Sequence, residues 1–343
     1  MTKPAESDRY SRQARFWAIG QTGQERLRAG RVLVVGCGAL GSAAVDLLAR
    51  SGVGRLAIVD RDFVELSNLQ RQLLFNEADA AAGAPKAVAA AEAVRRINSE
   101  VDVRSIVADV TPNNVEQFVS EADVVLDGTD NFETRYLIND TCVKLGVPWV
   151  YGGAIGSTGM SMTIVPGETP CFRCLFPRRQ PTGTVATCDT AGVLASSVVA
   201  VSAIEWTEAV KILVGDHGSL RRGLTAFDLW SNDHQQAEVQ RVPDCPCCME
   251  HRFEYLEASA TSRTASLCGR NAVQVSPASP LRLDLARLGE KLDGTGTLMR
   301  NDYLLRFVVG AHELTVFADG RAIVKGTGDV AMARSLYARY VGV

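Results

Sequence analysis

Four of the nine cysteines fall into two pairs with the C-x-x-C spacing. Cys171 and Cys174 form the first pair, and Cys245 and Cys248 form the second pair much later in the chain. Four thiolates arranged in this way are typical of a structural Zn²⁺ site, whose closed tetrahedral coordination leaves no position for catalysis. The spacing therefore predicts a zinc ion that cross-links two distant segments. The alternatives are Cys247 as a substitute for Cys248, with a rarer C-x-C spacing, and cysteines that are free and buried.

A glycine loop at residues 36–41 has the G-x-G-x-x-G pattern. It lies between a predicted strand at 31–35 and a predicted helix at 42–51, which is the context that a dinucleotide-binding motif requires. Such a loop brings phosphate oxygens close to backbone N–H groups at a helix N-terminus, and Asp60 can hydrogen-bond a ribose hydroxyl. The motif predicts a nucleotide site. Taken alone it fits NAD better than ATP, and the alternative is a loop that only packs a strand against a helix.

The charged residues that follow Asp60 favour a triphosphate over a dinucleotide. Arg71 and Lys86 come close together in the sequence, and triphosphate chemistry needs cations where charge develops on the phosphate oxygens. Asp130 follows a predicted strand at 124–126, at the edge where open α/β sheets bind ligands, and its carboxylate can hold Mg²⁺. Each residue also has a simpler interpretation. Arg71, Lys86 and Arg135 fit an exposed helix face, and Asp130 fits a helix N-cap.

Cys188 lies just before a long apolar segment at residues 192–214, where the sequence predicts the start of a helix. A helix N-terminus lowers the pKa of a thiol and makes it a better nucleophile. The polar, turn-forming stretch at 177–184 predicts a mobile surface loop ahead of it. Cys188 is therefore the candidate catalytic thiol, with a buried structural cysteine as the alternative. The four histidines have no ligand or catalytic spacing.

These motifs lie on strands and helices that alternate along the first two thirds of the chain. The alternation predicts an α/β fold with a doubly wound, Rossmann-like, mainly parallel sheet. A stretch rich in Ala, Ser and Thr at 257–263 predicts a linker between a domain at 1–256 and a small α+β domain at 264–343. The predicted strands of the first domain are 31–35, 56–59, 101–107, 124–126 and 149–151, with helices at 42–51, 85–97, 113–121, 133–145 and 192–214. The predicted strands of the second domain are 272–275, 304–309, 313–317 and 322–325, with helices at 281–292 and 330–340 and a hairpin turn at Asp319 and Gly320.

Composition and charge exclude several classes of protein. The 343 residues are 46% hydrophobic and 22% charged, which is typical of a soluble globular chain rather than a disordered one. The formal net charge of -3 provides no basic field for nucleic acid or an anionic membrane. Glu205, Glu208 and Lys211 interrupt the apolar segment at 192–214, so we expect a buried helix there rather than a membrane span. No secretory signal is visible, and a cytoplasmic protein is expected.

Together the motifs resemble those of the MoeB, ThiF and HesA family. Its members are bacterial adenylyltransferases that activate ubiquitin-like sulfur carrier proteins and are related to ubiquitin-activating enzymes. The resemblance implies ATP, Mg²⁺ and Zn²⁺ as cofactors and a carrier protein ending in Gly-Gly as partner. It also implies a sulfur donor, either a cysteine desulfurase or a rhodanese, and a homodimer in which Arg12 reaches the active site of the neighbouring subunit. The resemblance rests on residues 9–13, 36–41, 60, 67–72, 83–86, 127–131 and 187–192 and both cysteine pairs, within 9–248.

The resemblance implies that the carrier's glycine carboxylate attacks the α-phosphate of ATP and that pyrophosphate leaves. Ala39 replaces a glycine found in many members, and the residues after 256 do not resemble a rhodanese domain. The competing functions are an NAD(P)-dependent oxidoreductase, which lacks a hydride-transfer set here, and a non-catalytic scaffold. The catalytic residues implied are Arg12, Arg71, Lys86, Asp130 and Cys188. The ATP and Mg²⁺ contacts implied are Gly36, Gly38, Ala39, Gly41, Asp60, Asp62, Asn68, Arg71, Gln72, Lys86, Asp127, Thr129, Asp130 and Asn131.

Overall fold

The computed structural model describes residues 9–178, 191–257, 264–267, 271–277 and 282–342. These residues form two compact units, one within 9–257 and the other within 264–342. The first unit contains one eight-stranded sheet with the order β3-β2-β1-β4-β5-β6-β7-β8. Its strands are β1 (Arg31–Val35), β2 (Arg55–Val59), β3 (Asp102–Ile106), β4 (Val124–Asp127), β5 (Trp149–Ile155), β6 (Thr158–Ile164), β7 (Gly223–Asp228) and β8 (Asp233–Glu238).

Strand β1 lies at the point where the order of the parallel strands reverses. It pairs in parallel with β2 on one side and with β4 on the other, so that Val35 lies beside both Val59 and Asp127. Parallel pairing continues to β3 and β5, and β6, β7 and β8 add an antiparallel extension. In open α/β sheets, ligands bind in the crevice at the carboxyl ends of the strands flanking such a switch point.

Helices cover both faces of this sheet. Alternate residues of β1 point to opposite faces, so the strand contributes to two cores. Val32 and Val34 belong to a core shared with helices on one face, whereas Leu33 and Val35 belong to a core shared with helices on the other face. The doubly wound α/β fold predicted from the alternation is confirmed. The helices are α1 (Ser11–Ala14), α2 (Gly20–Ala29), α3 (Ala39–Ser51), α4 (Glu77–Ala81), α5 (Lys86–Ile97), α6 (Val115–Ser120), α7 (Phe132–Leu145), α8 (Phe172–Leu175), α9 (Ala195–Val214) and α10 (Glu254–Glu257).

Helix α9 is the buried helix expected from the apolar segment. Ser197, Glu205 and Glu208 on it are buried, and a left-handed Gly215 ends it with φ of 83°. Within the part of the chain that the structure describes, no helix is long and apolar enough to cross a bilayer.

The second unit is an antiparallel sheet with the order β11-β12-β13-β14-β10-β9. The turn between β13 and β14 contains Asp319 and Gly320, as predicted, and Gly320 has a φ of 84°. The apolar residues of two helices, among them Leu288 and Tyr337, share a core with this sheet. The elements are β9 (Thr264–Leu267), β10 (Ala272–Val275), α11 (Leu285–Leu292), β11 (Thr297–Arg300), β12 (Leu304–Val309), β13 (His312–Phe317), β14 (Ala322–Lys325) and α12 (Val330–Tyr340).

Strands β6, β7, β8, β9 and β11 were not predicted from the sequence. Strand β8 is exposed at every residue, and its sequence contains five polar residues and one alanine. Strand β6 is interrupted by glycine and serine, although most of it is buried. Helix α11 begins at Leu285 rather than at residue 281, because the Asp284 side chain accepts hydrogen bonds from two N–H groups of its first turn.

Candidate nucleotide site and cysteine cluster

The glycine loop connects β1 to α3 at the switch point, and its glycines have different roles. Gly36 has a φ of 86°, and a Cβ atom at Gly41 would lie 1.9 Å from the Gly36 carbonyl oxygen. Backbone packing therefore requires glycine at both positions. A Cβ atom at Gly38 would meet no atom nearer than 3.9 Å. The space beside Gly38 is open, as the close approach of a phosphate to this loop requires.

Asp60 ties the glycine loop to the end of β2. Its carboxylate accepts a hydrogen bond of 2.6 Å from the backbone N–H of Cys37 and another of 2.6 Å from that of Asp62. Burial raises the pKa of Asp60, and the positive charge of Lys86 opposes this rise. Asp60, which is predicted to contact the ribose, thus also holds the glycine loop in place.

Lys86 is a buried cation at the start of α5. It is 4% exposed, and its ammonium Nζ lies 3.3 Å from Asp62 Oδ2. The backbone N–H of Lys86 also donates to the Asp62 carbonyl oxygen at 2.9 Å. The interpretation of Lys86 as part of an exposed helix face is therefore wrong. A buried ammonium at this edge is suited to contacting phosphate oxygens.

The segment after Asp62 contains a short 3₁₀ turn, Leu66–Asn68. Polar side chains come from this turn and from the residues that follow it. Asn68 is buried and its Oδ1 accepts from the Glu65 N–H at 3.0 Å, while the half-exposed Arg71 donates to the Ser67 carbonyl oxygen at 3.0 Å. Gln72 is buried, and its Oε1 has no hydrogen-bond partner among the described residues. Since its Nε2 is 3.9 Å from where a Cβ of Gly38 would lie, the Gln72 amide adjoins the open side of the glycine loop. An unsatisfied buried amide here fits a polar ligand.

The end of β4 and the loop after it contain two aspartates with different environments. Asp127 is buried, and its carboxylate accepts from the Thr129 N–H and hydroxyl at 2.9 and 2.6 Å and from Arg135 Nε at 2.8 Å. Asp130 is exposed. Asn131, rather than Asp130, is the N-cap of α7, since its side chain accepts from the Thr134 N–H. The N-cap interpretation of Asp130 is therefore wrong, and its carboxylate remains suited to a cation.

We call this set of segments the nucleotide edge: residues 36–41, 60–62, 67–72, Lys86 and 127–131. Most of them lie at the ends of β1, β2 and β4 or at the start of α5, and residues 67–72 lie on the 3₁₀ turn and the segment that follows it. The structure thereby brings together the ATP and Mg²⁺ contacts expected from the sequence. Arg12 lies apart from them in sequence, on α1, where it is exposed. Cys188 and most of the stretch at 177–184 lie outside the described residues.

The four paired cysteines form a compact cluster. Their sulfur atoms lie within 4.8 Å of one another, with separations of 3.9 Å between Cys171 and Cys174, 3.6 Å between Cys171 and Cys245, and 3.5 Å between Cys174 and Cys248. Four sulfurs bound tetrahedrally at about 2.3 Å to zinc are about 3.8 Å apart, so the donor set fits this metal. Cys247 is not among the four.

Helix α7 contacts both cysteine segments through one side chain. Asn139 Nδ2 donates to the Cys247 sulfur at 3.2 Å, and Asn139 Oδ1 accepts from the Phe172 N–H at 2.8 Å. The Phe172 ring packs edge-on against Tyr136, with ring centroids 5.2 Å apart. The same helix therefore supports the cysteine cluster and begins at the nucleotide edge.

Two buried charged residues near the nucleotide edge were missed by the sequence reasoning. The only position that the sequence suggests for Arg135 is an exposed helix face, but this residue is 7% exposed and paired with Asp127. Glu205 is fully buried, and neither of its carboxylate oxygens has a hydrogen-bond partner in the described ranges. Glu205 is a charged residue within an apolar helical segment. This position is the feature of the sequence that could have identified it as a buried charge.

Comparison with known proteins agrees with this architecture. The sulfur carrier protein ThiS adenylyltransferase of Bacillus subtilis is 41% identical over 337 residues, which covers 97% of this chain and 99% of that protein. The SAMP-activating enzyme E1 of Haloferax volcanii is 42% identical over 261 residues, covering 74% of this chain and 96% of that protein. The first match is long enough to include the second unit, so that relative extends past the cysteine pairs as this chain does.

Solved structures with a similar fold cover about 70% of this chain. The crystal structure of E. coli MccB with ATP has a TM-score of 0.60 and 23% identity, and it covers 70% of this chain and 74% of that one. The chain also matches the family model described as the ThiF family over residues 10–247. Because this match spans more than half of the chain and the relatives share about two fifths of their residues along nearly their whole length, the chain belongs to the ThiF family.

Proposed function

We propose that this protein is an adenylyltransferase that activates the C-terminal glycine carboxylate of a ubiquitin-like sulfur carrier protein with ATP. The observation that carries the proposal is the nucleotide edge, where the space beside Gly38 is open, Lys86 is buried and Asp130 is exposed. The similarity to a sulfur carrier protein ThiS adenylyltransferase along 97% of the chain supports the choice of substrate.

The nucleotide edge offers partners for the ribose, the phosphates and the metal ion of Mg-ATP. The backbone N–H groups at the start of α3 are suited to phosphate oxygens, and Asp60 is suited to the ribose. Asn68, Arg71 and Lys86 supply donors and positive charge for the phosphates, and Asp130 would hold Mg²⁺. Bound there, Mg²⁺ would supply positive charge at the phosphate oxygens. The remaining contacts proposed are Gly36, Gly38, Ala39, Gly41, Asp62, Gln72, Asp127, Thr129 and Asn131.

No general base is needed for the proposed reaction. The carrier's carboxylate is already ionised at neutral pH, so its oxygen attacks the α-phosphorus directly, and the bond to pyrophosphate breaks. The protein contributes position and charge. Lys86 is buried next to Asp62 and is thus held in one place before the reaction, which lets it stabilise charge on the phosphate oxygens without reorganisation.

A homodimer with shared active sites is part of the proposal. Arg12 is exposed on α1, close in sequence to the exposed aromatic rings of Phe16 and Trp17. We assign Arg12 to the active site of the partner subunit. Mixing the Arg12→Ala and Asp130→Ala proteins, each inactive alone, should restore exchange activity if the sites are shared. Failure of the mixture to recover activity would contradict the shared site.

The four-cysteine cluster is proposed to hold Zn²⁺ through Cys171, Cys174, Cys245 and Cys248. A closed set of four thiolates fits a structural role, because no coordination position is left for a substrate. A reducing compartment such as the cytoplasm suits these thiolates. The domain proposed for adenylation is 1–256, joined through 257–263 to the domain at 264–343.

Sulfur transfer after adenylation is assigned to Cys188 or to an external donor such as a cysteine desulfurase or a rhodanese. If Cys188 is the acceptor, Cys188→Ser should keep pyrophosphate–ATP exchange and lose any thiol-sensitive adduct with the carrier, because adenylation and transfer are separate steps. Full sulfur transfer by the variant would assign that step to the external donor.

The test of the proposed function is pyrophosphate–ATP exchange with Mg-ATP and a carrier ending in Gly-Gly. Asp130→Asn should reduce the exchange rate about 10²- to 10³-fold, since losing one charge-stabilising contact in a preorganised site has an effect of this size. Glu133→Gln is the matched control, an exposed carboxylate in the first turn of α7. Wild-type protein without carrier-dependent exchange would refute the function, and equal rates for both variants would refute the role of Asp130.

A further inference from the structure

Arg135, in the first turn of α7, joins the loop after β4 to strand β5. Its Nε donates to Asp127 Oδ2 at 2.8 Å, and its Nη2 donates to the Thr129 carbonyl oxygen at 2.8 Å and the Gly152 carbonyl oxygen at 2.9 Å. Because the guanidinium is planar, these bonds from Nε and Nη2 fix its orientation. A single ammonium group could not make bonds with the same fixed directions. Two of these three acceptors belong to the loop that carries Asp130.

The surroundings of Arg135 hold the guanidinium in this orientation. The Cζ atom of Arg135 lies 5.1 Å from the centroid of the Tyr151 ring and 5.6 Å from that of the Phe132 ring. The buried Glu205 lies against Gly152, where an added Cβ atom would come within 2.4 Å of Glu205 Oε1. The acceptor on β5 is therefore closely packed as well.

Asp130 lies between two fixed points of the loop. On one side, Thr129 is held by Asp127 and Arg135, and on the other side, Asn131 is held by its cap bond of 2.8 Å to the Thr134 N–H. A buried ion pair is by itself weak evidence for stability, because desolvation offsets the attraction between the charges. The bonds from Arg135 to main-chain oxygens are better explained by the geometry that they impose on the loop.

We propose that Arg135 is a positioning residue that holds the loop at 127–131 in the conformation that presents the Asp130 carboxylate to Mg²⁺. The proposal rests on the proposed function, in which Asp130 holds the metal that accompanies ATP. Arg135 itself touches neither the metal nor the nucleotide in this scheme. It acts through Asp127 and Thr129, as outer-shell residues orient the ligands of a metal.

The test compares Arg135→Lys with Arg173→Lys. Lysine keeps the positive charge beside Asp127 but cannot make the same directional bonds to Thr129 and Gly152. Arg173 is a matched control in the same unit, since it is also 7% exposed, pairs with Glu254 at 2.9 Å and lies 5.4 Å from the Tyr255 ring centroid. Mg²⁺ titrations of pyrophosphate–ATP exchange and thermal melting are measured for both variants and for wild type.

Arg135→Lys should raise the Mg²⁺ concentration for half-maximal exchange by about 10- to 100-fold, the usual effect of removing an outer-shell partner. Arg173→Lys should leave that concentration unchanged, even if it lowers the melting temperature as much. An unchanged Mg²⁺ requirement in Arg135→Lys would overturn the proposal, and so would an equal shift in both variants, because each result assigns Arg135 to stability alone.

Hydrogen exchange at the Thr129 amide separates this proposal from the proposed function. That amide donates to Asp127 Oδ1 in the free protein, so it should exchange faster in Arg135→Lys and at the wild-type rate in Arg173→Lys. Wild-type protein with no exchange activity would refute the proposed function, and the amide measurement would then still decide whether Arg135 holds the loop. An unaltered Thr129 exchange rate in Arg135→Lys overturns the positioning role.

Discussion

The cysteine cluster and the nucleotide edge are both supported by α7, yet the first is closed and the second is open. The four sulfurs face one another within 4.8 Å, and three of the four cysteines are buried. At the nucleotide edge, Asp130 is exposed and the space beside Gly38 is empty of protein atoms to 3.9 Å. The difference fits the roles proposed above, a structural metal site for the cluster and a ligand-binding site for the nucleotide edge.

The largest expected effect comes from removing one of the four thiolates of the cysteine cluster. Cys174→Ser removes one thiolate from the set of four, and metal-binding free energy is folding free energy in such sites. We expect a loss of about 4 kcal/mol or more, which places the change among the most destabilising single substitutions. The melting temperature should therefore fall by about 10 °C in a unit of this size. Zinc content and thermal melting measure both effects.

Cys247→Ala is the control for this change, because Cys247 is buried next to the cluster and is not one of its four members. It should retain about one zinc per subunit. The fraction of Cys174→Ser that stays folded should keep its exchange activity. Wild-type protein purified without chelators and found to lack zinc would refute the closed metal site, as would zinc loss from Cys247→Ala alone.

A smaller effect should separate two glycines of the same loop. Gly41→Ala places a Cβ atom 1.9 Å from the Gly36 carbonyl oxygen, so the loop must shift, and we expect a loss of stability of about 1–3 kcal/mol, as for overpacking. Gly38→Ala meets no close protein atom and should keep the melting temperature. Its methyl group occupies the side open to ATP, so the KM for ATP should rise about tenfold, equivalent to about 1.4 kcal/mol.

Thermal melting and ATP titrations on the two alanine variants provide the comparison. If Gly38→Ala instead unfolds the protein and leaves the KM for ATP of the folded fraction unchanged, the loop at Gly38 serves packing rather than binding. The space beside Gly38 would then not be the place where ATP binds.

The sequence was sufficient for those features that depend on local spacing. The cysteine pairs, the glycine loop and the strands of the parallel half are encoded in short segments, and the structure has them where the spacing indicated. Strand β8 could not be predicted, because an exposed edge strand needs no apolar pattern and takes its place from pairing with β7.

The residue types of the nucleotide edge could be predicted from the sequence. Which of these residues are buried and paired, and which are exposed, could not. From the sequence, Asp127 and Asp130 are two carboxylates three positions apart after one strand. Only their packing assigns Asp127 to Arg135 and leaves Asp130 exposed. Whether a charged residue such as Arg135 or Glu205 is buried depends on which helix face meets the sheet, and that is decided by contacts distant in sequence.

The last expected effect depends on pH and concerns Glu205, a buried carboxyl group without a hydrogen-bond partner in the part of the chain described. Burial raises its pKa well above the ordinary value of 4.5, the negative charge of Asp127 adds to the rise, and Arg135 opposes it. The native state therefore holds this proton more tightly than the unfolded state does. Above pH 4.5 the unfolded state releases the proton first, so Glu205 makes the wild type progressively less stable as the pH rises.

Glu205→Gln removes this proton and keeps the shape of the side chain. The variant should match wild-type stability near pH 4 and exceed it at pH 8, by about 1.4 kcal/mol for each unit by which the native pKa is raised. Denaturant unfolding across this pH range measures the difference. Glu208→Gln, one turn later, is the matched control, because the Glu208 carboxylate accepts from the Thr163 hydroxyl at 2.7 Å and the Arg221 N–H at 3.0 Å and should lose stability as glutamine. A loss of stability in Glu205→Gln at pH 8 would mean that Glu205 is ionised and paired with Arg135, and the arginine would then be shared between two carboxylates rather than assigned to Asp127.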